Sequence, residues 1–184
     1  MPRKLEHIAI DYLATTPEVL RLLMGGLSDE EAQWKPAPDR LSIAEVLAHL
    51  SHIEGHCFRA RFDSMVAATN PEVAPYLPLD LAREGVYSGS DAEESFAHWE
   101  EQREANVEFL QSLDPKVLAR TAQHPNLGLI TAEDLLNAWA FHDLGQVRQI
   151  TELVAARLFY PKLGPFQSQA RDGQGNVSVN LGVK

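Results

Sequence analysis

The segment from Thr131 to Phe159, TAEDLLNAWAFHDLGQVRQITELVAARLF, is the longest uninterrupted helix candidate in the sequence. Thr131 and Asp134 stand where an N-cap and its reciprocal N3 partner belong. From there Leu135, Trp139, His142, Gln146, Ile150 and Leu153 recur at steps of three and four. At about 100° per residue they share one stripe of a helix. Its apolar members direct the stripe towards a core. His142 and Gln146 interrupt it one turn apart. An unpartnered buried polar group costs on the order of 1–3 kcal/mol, so stability alone would place leucine at both positions. This interruption points towards function.

The rest of the chain offers three more long helices to pack against that stripe. Lys4 to Leu13 reads as a helix with Leu5, Ile8 and Tyr12 on one face. Thr16-Pro17 is an N-cap followed by a residue suited to the first helical position, so a new helix or a bend is expected there, running to about Met24. Gly25-Gly26 ends it, and Ser28 with Glu31 caps a short turn closed by Pro36 and Pro38. Ser42 and Glu45 form the clearest capping box and open a helix to about Ala68. Its apolar arc holds Ile43, Val46, Leu50, Ile53 and Cys57, with Ala60 and His49 at the margins; His52 and His56 fall on the solvated side.

Residues 70–89 are rich in proline and turn formers and read as a long connection. Ser90 with Glu93 caps the third long helix, from about Asp91 to Ser112, with Phe96, Trp99, Val107 and Leu110 inward and Arg103 near the same stripe. Asp114-Pro115 starts a short turn, and residues 124–131 read as a loop. The tail beyond Arg171 is polar; Val177, Val179 and Leu181 alternate there as a strand would, but a mobile end is the expectation. No long β-rich stretch competes. Four long helices with one long connection predict an all-α four-helix bundle over residues 1–170 and a tail over 171–184.

Composition narrows the function. A formal charge of −10 and a pI near 5.1 argue against general nucleic-acid binding, which needs clustered Lys and Arg. No run of about 18 apolar residues suggests a membrane span, and the start, MPRKLEHIAIDYL, has charges inside its first turns and lacks the long apolar run and small-residue cleavage site expected of a signal peptide. The lone cysteine, Cys57, precludes an internal disulfide and fits a reducing cytoplasm.

Bundles build sites from inward side chains of facing helices. His142 and Gln146 are such positions, and His49 is the best candidate on the second helix. Neutral imidazole suits zinc, nickel, copper or iron, and a four-residue step lets two side chains converge on one ion. An amide at the second position weakens that logic. The plainer readings are histidines bonded to a buried carboxylate such as Asp143 or Glu54, with Gln146 as an amide partner. Cys57 reads as core. Arg103 reads as packed by its stem with a snorkelled head, although it could reach an anionic substrate.

Three blocks, LSIAEVLAHLSHIE, HPNLGLITAEDLLNAWAFHDLGQVRQI and LGPF, resemble the DinB superfamily of bacterial proteins over roughly residues 15–167. His124, Pro125, Gly128 and Thr131 match the segment that introduces the family's last helix. The resemblance implies an up-down-down-up bundle with a long crossover between the second and third helices. It also implies a divalent metal on three histidines, and a homodimer. Relatives of this fold include S-transferases that use low-molecular-weight thiols, and isomerases. Carried over, the ligands fall on His49, His142 and Gln146, where the family pattern expects a third histidine. Asp143 matches the family's aspartate, with an orienting role. Two expectations follow. One is a zinc- or nickel-dependent S-transferase acting on a small molecule. The other is a metal-free ligand-binding or structural bundle that has lost the third ligand.

Overall fold

In the computed structural model, which describes residues 7–75, 81 and 84–171, a side-chain cap starts each long helix. The helices are α1 (Ile8–Met24), α2 (Asp29–Gln33), α3 (Ile43–Ile53), α4 (Ala60–Ala67), α5 (Ala92–Ser112), α6 (Ala132–Val154) and α7 (Gln167–Arg171). A π-helical segment, Glu54–Arg59, joins α3 to α4 into one long rod. Ser42 and Thr131 head complete capping boxes with Glu45 and Asp134. The expected Ser90–Glu93 box is not used. Asp91 caps α5 instead, accepting from the backbone of Glu94, because a carboxylate suits the positive end of the helix dipole. Ser42 is fully buried, so Ser42→Ala should cost about 1–2 kcal/mol; a shift of the urea midpoint would measure it.

α3 packs along α5, and α1 packs along α6 and α5. Ser51 pairs with His98, Glu54 with Arg103 and Arg59 with Asn106, so α3–α4 and α5 run in the same sense. His7 faces Glu133 and Thr16 meets Asp143, so α1 and α6 also run together. Leu13 against Arg103 and Arg21 against Glu100 set α1 antiparallel to α5. The four long helices form a four-helix bundle. Among the described residues, no helix is long and apolar enough to cross a membrane.

Several sequence expectations change. Helix α1 does not break at Pro17. A proline inside a helix leaves the carbonyl four residues back without its N–H. Here that carbonyl, of Leu13, accepts from Arg103 Nη1 at 3.0 Å. The buried face of α1 is Ala9, Ile10, Leu13, Thr16 and Leu20, whereas Ile8 (68% exposed) and Tyr12 (49%) face outwards. The π segment takes up an extra residue, so the core face resumes at Phe58, Phe62 and Met65 and leaves Ala60 exposed. On α5 the inward positions are Phe96, Trp99, Arg103, Asn106 and Leu110, with Val107 only half-buried. The expected loop before α6 is a hairpin of β1 (Thr121–His124) and β2 (Gly128–Thr131), with Thr121 opposite Thr131. Val73 donates to the Gln123 carbonyl and Gln123 to that of Pro71, which ties the chain after α4 to the hairpin.

Readings that fall on residues 1–6, on 76–80, 82 and 83 within the long connection, and on the tail from 172 with Val177, Val179 and Leu181, lie outside the described residues.

Candidate functional site

Two histidines from opposed helices meet between α3 and α6. His49 Nε2 lies 3.1 Å from His142 Nε2, and Gln146 Nε2 lies 3.2 Å from the same His142 atom. The four-residue step on α6 brings His142 and Gln146 together, and the bundle adds His49. Leu135, Trp139, Ile150 and Leu153 are buried along the same stripe. Tyr87, from the long connection, is 3% exposed and sets its ring edge-on to His49, with its hydroxyl 3.5 Å from Nδ1. Phe58 stacks on Trp139 and tilts against the His142 ring. His52 stays apart from the pair, its ring stacked on His56.

Burial pushes the imidazole pKa values down, to about 4 for His49 and about 3 for His142. His52 adds to the effect at His49, and His49 and Arg103 add to it at His142. Both rings are therefore neutral near pH 7.

Hydrogen bonding leaves His142 and Gln146 incompletely satisfied among the described residues. A neutral imidazole has one donor and one acceptor nitrogen. If His142 Nε2 accepts, from either His49 or Gln146, its single lone pair serves one of them only. Its proton then sits on Nδ1, which has no partner among the described residues, and Gln146 Oε1 has none either. A divalent ion suits the set better. Two nitrogens bound at about 2.0–2.1 Å lie about 2.8–3.4 Å apart for ligand angles between 90° and tetrahedral, which brackets the observed separation. Turning the amide of Gln146 presents Oε1 as a third donor. One cost remains, because His142 Nδ1–H still lacks an acceptor. Among the described residues no group of three or more His, Cys, Asp or Glu is placed to hold a metal; here the third donor is an amide.

The carboxylates that the sequence offered to these histidines are engaged elsewhere. Arg103 Nε and Nη2 each donate to Glu54 at 2.7 Å; Nη1 and Nη2 donate to Asp143 at 2.5 and 3.1 Å. With the Leu13 carbonyl, all five guanidinium N–H groups are used. Arg103 is 1% exposed. It neither snorkels nor has a donor left for a substrate, and the Asp143 carboxylate bonds to Arg103 rather than to the His142 ring. Trp99 and Trp139 Nε1 and Asn106 Nδ2 also donate to Glu54. Glu54 stood in the sequence as a possible histidine partner; its pairing with Arg103 spans 49 positions and left no local pattern. Cys57 is buried, as expected, and burial raises its thiol pKa. A separate groove of about 720 Å³ runs between α1 and α5 past Ala14, Pro17, Glu18 and Glu104, away from the histidines.

No curated protein matches the chain. Among solved structures, YfiT from Bacillus subtilis, described as a probable metal-dependent hydrolase with an unusual four-helix bundle topology, superposes with a TM-score of 0.73. Identity is 21%, over 86% of this chain and 93% of that one, a likeness that establishes the fold. The sequence pattern of the DinB superfamily matches residues 12–150. With the bundle and that match both in hand, the chain belongs to the DinB superfamily.

Proposed function

We propose that His49, His142 and Gln146 hold a divalent metal, zinc or nickel, and that the protein is a metal-dependent enzyme of the thiol S-transferase type acting on a small molecule. The observation that carries this reading is the half-buried trio itself: two neutral Nε2 atoms 3.1 Å apart beside an amide whose oxygen has no partner among the described residues. The metal dependence ascribed to YfiT supports it. A divalent ion at such a site lowers the pKa of a coordinated thiol or water and so supplies a nucleophile near neutral pH.

The chain's own residues do the rest. His49 and His142 stay unprotonated near pH 7 and keep their lone pairs available. Gln146 adds a donor without charge. Tyr87 and Phe58 wall the pair and limit water. Cys57 is buried with a raised pKa, so the reacting thiol comes from outside the chain. A hydrolytic reaction would use the same donors with water in place of the thiol.

A second reading rests on Gln146. With an amide where the family has histidine, the same space would bind a small ligand without metal. Elemental analysis of untagged protein separates the two. The expected result is zinc or nickel near one per chain. Gln146→His should tighten binding by at least about tenfold, or about 1.4 kcal/mol, and His142→Ala should abolish it. A parent without metal or micromolar affinity, beside a Gln146→His variant that binds, would favour the ligand-binding reading.

A further inference from the structure

Arg103 is a point at which all four long helices meet. Its guanidinium reaches Leu13 on α1, Glu54 at the end of α3 and Asp143 on α6, from its own place on α5. We infer that Arg103 is a positioning residue: by gripping Glu54 and Asp143 it sets how His49 faces His142. The inference rests on the metal reading for what the pair binds, but not for the spacing of the pair.

The reasoning is geometric. Asp143 directly follows His142, so holding the Asp143 carboxylate fixes the rotation of α6 about its axis and with it the direction of the His142 ring. Glu54 lies just beyond the last turn of α3, below His49, and opens the π segment. Holding it fixes α3 in the same way. A guanidinium is planar and rigid, and it presents separate paired N–H edges to two carboxylates. One edge, Nε with Nη2, meets both oxygens of Glu54, and the other, Nη1 with Nη2, meets both of Asp143. The end of α3 and α6 are therefore held beneath the site on two edges of one rigid group, by paired hydrogen bonds on each side. Two further links lie nearby, the stack of Phe58 on Trp139 and a single hydrogen bond from Trp139 Nε1 to Glu54, and neither presents the paired edges of the guanidinium.

Stability alone does not call for this arrangement. Buried charged triads can often be replaced by well-packed apolar side chains without loss, and a geometric role is one reason to retain them. Trp99, Trp139 and Asn106 all turn donors onto Glu54, so the carboxylate is held in place from α5 and α6 as well as by Arg103.

Arg103→Lys keeps the charge but offers a point donor that cannot present two edges. In the metal-free protein, the cross-relaxation between the ring protons of His49 and His142 should be strong in the parent and lost in Arg103→Lys. Cobalt(II) affinity should fall at least about tenfold, a loss equivalent to about 1.4 kcal/mol. Leu110→Ala, a core change further along α5, serves as the control for general destabilisation and should keep both signals. Arg103→Lys with the ring contact intact would overturn the inference. If that variant does not fold, Asp143→Asn, which keeps the Glu54 grip and removes the charge on α6, should weaken the ring contact; full retention would overturn the inference equally. Loss of the contact in Arg103→Lys, with no cobalt bound by the parent, would uphold the role of Arg103 and reject the metal reading.

Discussion

Arg103→Met should cost about 3–5 kcal/mol of folding stability, the range for breaking a buried charge pair from one side. The substitution strands two carboxylates, Glu54 and Asp143, at 0% and 1% exposure, and frees the Leu13 carbonyl that Pro17 cannot serve. Relief should come from neutralising the survivors. Glu54→Gln with Asp143→Asn, added to Arg103→Met, should recover much of the loss, because the remaining amides can bond to one another and to Trp99, Trp139 and Asn106. Urea unfolding of the three proteins measures both steps. A cost below about 1 kcal/mol for Arg103→Met, the range of exposed ion pairs, would contradict the buried geometry.

The second large effect is acid lability of the metal-free protein. In the unfolded chain His49 and His142 take up protons around pH 6.5; in the folded protein they do so only near 4 and 3. Between those limits the unfolded state binds more protons, so stability falls as pH falls. With both groups contributing, the slope approaches about 2.7 kcal/mol per pH unit at most. The loss should begin below pH 6.5 and continue to about 3, and above about pH 5 ordinary carboxylates add little to it. Urea midpoints across that range, for the parent and for His49→Gln and His142→Gln, check it. Each substitution should flatten the profile by about half. A parent whose midpoint does not move between pH 7 and 4.5 would show that the imidazoles are not buried together.

Local features were legible because their causes are local. A capping box needs only a hydroxyl and a carboxylate three residues apart, so Ser42–Glu45 and Thr131–Asp134 announced α3 and α6. The convergence of His142 and Gln146 follows from helical spacing. Other features had causes the local pattern could not hold. Ile8 and Tyr12 share a face as clean as the buried one, and only the neighbouring helices decide which face is covered. Pro17 reads as a break until Arg103, 86 positions away in sequence, takes the freed carbonyl. The hairpin around His124–Gly128 is short, and its residues show no strand periodicity strong enough to read.

By itself, then, the sequence determined the helical class, the four long segments, their caps and the polar interruption in the stripe of α6, because each is a matter of spacing within one or two turns. It also named His49, His142 and Gln146 together, through the likeness of whole blocks to a family. The tertiary structure alone decided that His49 stands 3.1 Å from His142, that His142 Nδ1 and Gln146 Oε1 have no partner among the described residues, and that Arg103 is a buried bridge between four helices. Those outcomes depend on partners 40 to 93 positions apart. Contacts at that separation form only once the helices have packed, and no periodicity along the chain encodes them.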